Sequence, residues 1–166
     1  MSDNNVVWCF KQKRGIRIIE PNPNLTKAYL KKAISALNTM TAALKINEID
    51  WITTTAYYAR YFALYALLMK IGVKSEIHDC TIAVARLLAR NGTLSHSMVD
   101  DIAQAKQTRI DSQYYVENEL SHTEINHNVE AARKFVLETE KIMENLTPEQ
   151  ITNIRTQLEK LKETCF

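Results

Sequence analysis

The chain has 166 residues and a formal net charge of +2 at neutral pH, which fits one domain with its own core; bulk charge alone does not make it a nucleic-acid binder, so any polyanion site must be local. Three glycines and three prolines are too few for a turn-rich β fold or a Gly-rich phosphate loop, and they favour long helices. Cys9, Cys80 and Cys165 are odd in number and far apart, with neither metal-ligand nor disulfide-framework spacing, so they read as free thiols in a reducing, cytoplasmic setting; the polar start carries no apolar signal core.

Residues 1–24 show no helical period. Trp8, Phe10, Ile16, Ile18 and Ile19 are interleaved with Lys11, Lys13, Arg14 and Arg17. They read as an N-terminal extension whose aromatics pack on the body while its cations stay wet, or else as a basic arm able to touch nucleic acid. Pro21 to Asn24 stop this segment and cue a helix.

The first helix is predicted over about Leu25–Ile46, with Leu30, Ala33, Leu37, Met40 and Leu44 recurring at three and four residues. Lys27, Lys31 and Lys32 lie outside that stripe, as on a solvated face. The second helix, about Trp51–Ile71, is apolar on almost every side, which marks a helix buried in a membrane or in the middle of a bundle. Its length would span a bilayer. Arg60 stands in mid-span among three threonines and several tyrosines, and such a charge is costly there, so the centre of a helical bundle is the better reading. Ala56, Ala59, Ala63 and Ala66 allow close approach of a neighbour, Tyr57, Tyr61, Leu64 and Leu68 form a bulkier face, and Gly72 ends the helix.

The third helix is predicted over about Glu76–Asn91, capped by Ser75 and closed by Gly92. His78 falls in its first turn, where free N–H groups and the helix dipole favour an anion; a plain surface histidine is the other reading. The fourth helix is predicted over about Ser97–Leu120. Its stripe runs Met98, Ile102, Ala105, Arg109, Ser112, Val116, so a guanidinium stands where the period asks for an aliphatic side chain. A buried charge needs a partner: Arg109 is paired inside the bundle, open to a cleft, or at an interface. The fifth helix spans about Thr123–Asn145. Thr147, Pro148 and Gln150 open a sixth, whose narrow seam of Ile151, Ile154, Leu158, Leu161 and Cys165 calls for a single partner helix, either the fifth helix of the same chain or one of a second subunit. This divides the chain into an extension (1–24), a bundle (25–146) and a C-terminal amphipathic helix (147–166).

No zinc-type Cys/His cluster, GxSxG or HExxH occurs, and His122 and His127 are poorly spaced for one helical face. Neither a metal nor a cofactor is expected.

The segment Ala56–Leu88, with Tyr57, Tyr58, Gly72, Lys74 and His78, resembles the HEPN family (higher eukaryotes and prokaryotes nucleotide-binding), as does the Arg109–Tyr115 run RIDSQYY. The resemblance covers roughly Leu25–Leu120. It implies an all-α, up-and-down helical bundle of HEPN type, here with an extra C-terminal helix. It also implies homodimerisation, nucleotide or RNA as ligand, and a minimal nucleotidyltransferase partner in a prokaryotic, toxin–antitoxin-like pair, with no membrane. The implied phosphate-binding residues are Arg109, His78, Tyr114 and Tyr58. Active members are metal-independent ribonucleases with a histidine separated from the arginine by four to six residues; here Tyr114, Tyr115 and Val116 stand at those positions. A phenol is a weak base at neutral pH, so binding is expected before cleavage, with Arg109 and Tyr114 as the catalytic candidates. On an ideal helix Tyr114 points roughly 140° away from Arg109. A ribonuclease toxin and a non-enzymatic scaffold are the alternatives.

Overall fold

A computed structural model describes residues 3–117 and 119–165. It is all-α: among the described residues, seven helices and one two-stranded ribbon. The order is α1 (Asp3–Lys11), β1 (Arg17–Ile18), α2 (Pro23–Lys45), α3 (Ile49–Ile71), β2 (Val73–Lys74), α4 (His78–Arg90), α5 (His96–Tyr114), α6 (His122–Asn145) and α7 (Pro148–Glu163).

Helix α3 is the axis, with α2, α5 and α6 packed against it. Its alanines Ala56, Ala59, Ala63 and Ala66 are all inaccessible, as close helix approach requires. The only charge in its middle, Arg60, is 1% exposed. Its Nε donates to Asp101 Oδ2 (2.7 Å) and its Nη2 to Asp101 Oδ1 (3.1 Å), while backbone carbonyls of Ala56 and Asn128 accept two more bonds. One buried arginine thereby ties α3 to both α5 and α6. Among the described residues no helix is long and apolar enough to cross a membrane.

The end of α3 is closed twice. Gly72 adopts φ +86° and its N–H returns to Leu68 O (2.9 Å), a conformation open to glycine without a Cβ penalty. Arg155 on α7 then donates to the carbonyls of Ile19, Ile71 and Gly72 at 2.6, 3.0 and 3.2 Å, placing a cation at the negative end of the helix dipole. A Cβ at position 72 would run into that guanidinium and the Ile19 carbonyl.

Four expectations need correction. The N-terminal segment contains a helix: Val6 and Cys9 are buried under α1 while Trp8 is 52% exposed. The apolar positions of α1 had merged with those of β1 into one apparent alternation, hiding a nine-residue helix followed by a turn. Helix α4 starts at His78 rather than Glu76. Ser75 is not its cap, because the chain before it is drawn into the β1–β2 ribbon (Ile18 opposite Val73) and Ile77 holds the N-cap position with no side-chain bond. Helix α5 stops at Tyr114, since the next stripe residue, Val116, is 96% exposed and has no apolar surface to reach; Asn118, within the predicted continuation, lies outside the described residues. Finally, Cys9 and Cys80 form a disulfide with Cα atoms 5.6 Å apart. Packing of α1 on α4 brings together cysteines that spacing in sequence cannot relate, and the cysteine argument for a reducing compartment falls with it. Cys165 is free.

Thr147 and Gln150 form a reciprocal capping box at the start of α7. The seam of this helix is covered within the chain: Ile154 and Leu158 are buried, chiefly against α1, β1 and the end of α3 rather than along α6. Deleting α7 would therefore expose core, and the seam carries no argument for a second subunit.

Candidate functional site

Tyrosines cluster on α3 because positions 57, 58, 61 and 65 fall on adjoining faces one turn apart. His78, the first residue of α4, inserts beside them. Its ring stacks on Tyr61 with centroids 4.1 Å apart, and its Nδ1 lies 2.7 Å from the Tyr57 hydroxyl. Arg109 arrives from α5. Its guanidinium carbon sits 4.9 Å from the Tyr57 ring centre and 5.6 Å from that of Tyr58, and Nη1 donates to Tyr58 Oη at 3.3 Å. The arginine has no carboxylate partner among the described residues, and its buried Nε has no hydrogen-bond partner. Cation–π contact offsets part of the desolvation, and the remaining donor capacity is unmet. Two bonds pin this end of α5 to the start of α3: Ser112 Oγ donates to Asp50 Oδ1 (2.6 Å) and Gln113 Nε2 to Thr54 Oγ1 (3.0 Å).

The electrostatics keep His78 neutral. Burial lowers its pKa below the ordinary 6.5, and the cations of Arg109 and Lys106 lower it further, against a smaller opposing effect of Asp79. Lys106 itself is ion-paired to Asp79 across α5 and α4. Tyr57 is pushed far above the ordinary 10.0, mainly by burial, so it keeps its proton and its hydroxyl can donate to Nδ1. Because the folded pKa of His78 lies below the unfolded one, the unfolded chain takes up the proton first. This contribution is present above about pH 6.5 and is lost as pH falls through the window beneath it. The expected result is a fall in thermal midpoint between pH 7 and pH 5 that His78→Gln reduces. A wild-type and variant pair with parallel pH profiles would show that His78 is not the titrating group.

Of the residues expected from sequence, His78, Arg109 and Tyr58 stand together. Tyr114 does not join them: it is 74% exposed, and α5 remains helical through Tyr114, so the distortion needed to turn it toward Arg109 is absent. Tyr57, which sequence reading placed in the family pattern but not among the binding residues, and Tyr61, which it assigned to packing, form the floor and the stacking face. Their proximity to Tyr58 along α3 was the available signal. Among the described residues no group of histidine, cysteine or acidic side chains could hold a metal. A cavity of about 390 Å³ between α5 and α6 contains Arg60 and Asp101, but those two groups already satisfy each other.

The HEPN domain model matches residues 26–162, from α2 into the last turns of α7 and including all of the tyrosine, histidine and arginine cluster. No curated protein matches the chain. The family assignment supports a nucleotide- or RNA-related function in general. Helical architecture and family match agree, and the chain belongs to the HEPN domain family.

Proposed function

We propose that this protein binds the phosphate of a nucleotide or RNA at Arg109, with His78 and Tyr58 beside it. The reading further takes it to act as a homodimer and as the partner of a minimal nucleotidyltransferase in a toxin–antitoxin-like pair. The observation that carries the binding reading is the guanidinium of Arg109, lying on two tyrosine rings with Nε buried and unbonded. An arginine held this way has unmet donors in the planar fork that suits two phosphate oxygens. A structural arginine such as Arg60 contrasts with it, with acceptors on every nitrogen. Tyr114 has no part in the reading within one chain. The homodimer and the nucleotidyltransferase partner rest on the habits of the family. The cytoplasmic location that goes with them would subject the Cys9–Cys80 bond to a reducing environment.

Arg109→Ala should weaken binding of ATP or short RNA by roughly 10- to 100-fold, the range for a charged hydrogen bond, with little change in thermal midpoint. Fluorescence titration and thermal melting on the same samples check this. If the variant unfolds, or its folded fraction binds with unchanged affinity, Arg109 is structural.

A ribonuclease reading is favoured by one geometric fact. The histidine absent after Arg109 has a counterpart in His78, neutral and sharing the same tyrosines. A neutral imidazole is a competent base where a phenol is not. Under the binding reading, RNA incubated with the protein in EDTA stays intact or is cut slowly. Robust cleavage lost in both Arg109→Ala and His78→Ala would select the ribonuclease reading instead.

A further inference from the structure

Helix α3 is buried nearly all round, yet one stripe stays open. Trp51, Thr55, Tyr58 and Phe62 recur at four, three and four residues; Trp51 is 62% exposed and the other three are partly exposed, between buried neighbours. A solvent stripe on such a helix would ordinarily be polar, and here three of its four side chains are aromatic. Tyr58 and Phe62 stack on each other with centroids 5.5 Å apart and planes 27° apart. Helices α2 and α5 both pack on α3 and send one cation each to this stripe. Arg109 from α5 covers Tyr58. Lys32 from α2 places its ammonium 5.3 Å from the Phe62 ring centre and 5.6 Å from that of Tyr29. Lys32 is exposed and, like Arg109, has no carboxylate partner among the described residues. Other cations that lean on the body are met by acids, as in Arg60–Asp101, Lys106–Asp79 and Lys74–Glu76, or by backbone carbonyls, as is Arg155.

We propose that this stripe is a track for single-stranded nucleic acid, with a base on the Tyr58–Phe62 face and successive phosphates at Arg109 and Lys32. The inference rests on the phosphate-binding reading of Arg109 and adds the ligand class and a second contact. Two cations separated by a pair of stacked rings match the alternation of phosphate and base along a strand, and ring faces accept any base. A mononucleotide offers only one such unit. A duplex keeps its bases stacked inside and presents none to the rings. The acidic Asp50 lies at the Trp51 end, where it accepts from Ser112, so the strand engages by charge at the Tyr58–Phe62 half and only by stacking toward Trp51. Neither rings nor cations read the 2′-hydroxyl, so RNA and DNA strands bind alike.

The test is fluorescence anisotropy with a labelled eight-nucleotide RNA, the DNA of the same sequence, the RNA duplex, and ATP as competitor, on the wild type, Lys32→Gln, Phe62→Leu and Arg109→Ala. The expected outcome is single strands bound at least tenfold tighter than ATP or duplex, with RNA and DNA within a few-fold. Lys32→Gln should weaken strand binding three- to tenfold, leave ATP unchanged, and reduce the slope of log affinity against log salt by about 0.7. Phe62→Leu should weaken strand binding at least fivefold. Duplex bound as tightly as single strand, a marked preference between RNA and DNA, or a Lys32→Gln variant with unchanged strand affinity and salt slope would overturn the track. In each case the Arg109 reading survives if Arg109→Ala still weakens ATP binding by roughly 10- to 100-fold. Absence of any binding by the wild type removes both.

Discussion

Asp101→Ala is expected to destabilise the protein by about 3 kcal/mol, at the low end of what breaking a buried pair from one side costs. Arg60 is 1% exposed on its side chain and Asp101 is 29% exposed. Removing the carboxylate strands a guanidinium inside the bundle with only the carbonyls of Ala56 and Asn128 as acceptors. Removing the guanidinium instead, as in Arg60→Met, leaves a carboxylate that can turn toward water and a flexible side chain that fills the space. The two changes should therefore be unequal, with Asp101→Ala the worse. At this chain length 3 kcal/mol corresponds to about 10 °C in midpoint. Equilibrium denaturation of both variants decides the point. An Arg60→Met protein less stable than Asp101→Ala would show that the hydrogen bonds of the arginine to α3 and α6 outweigh the stranded charge.

Breaking the Cys9–Cys80 bond should have an effect of similar size by another route. The bridge closes a loop of 71 residues, and the chain-entropy model puts its stabilisation at about 4 kcal/mol, through restriction of the unfolded state. Within the fold the bridge holds α1 against the start of α4, two residues beyond His78. Other contacts of α1 are the buried Val6 and the Cys165 thiol, which donates to the Val7 carbonyl. Denaturation of the oxidised protein, the protein in dithiothreitol and a Cys9→Ser, Cys80→Ser double variant checks this. The two reduced forms should agree with each other. A loss below about 1 kcal/mol would mean that the cross-link does little to confine the unfolded chain.

What was legible in the sequence divides along the range of the interactions involved. The bounds of α2, α3 and α6 lie within about three residues of the expected ones, and α7 begins where Thr147, Pro148 and Gln150 indicate. Helix periodicity and caps act over three or four residues, well inside any sequence window. The all-α class, the buried central helix and the anomaly of Arg109 on an apolar stripe follow from that local information. The short α1 was missed because two of its buried positions, Val6 and Cys9, make too brief a pattern beside the apolar residues of β1.

The tertiary structure alone decided which distant residues meet. Asp101 lies 41 residues from Arg60, Tyr58 lies 51 from Arg109 and Cys80 lies 71 from Cys9; no local rule relates such positions. Sequence offered an ion pair, a cleft and an interface for Arg109, and packing of α5 on α3 put tyrosine faces there, with no carboxylate among the described residues. It ranked Lys32 as a solvated lysine, and only the approach of α2 to α3 set its ammonium over Phe62. It read three free cysteines, until α1 folded back on α4. Side-chain chemistry and short-range pattern are written residue by residue along the chain. Which charges end up paired, stacked or unmet depends on helix packing, because that packing sets both the distance between partners and the water left between them.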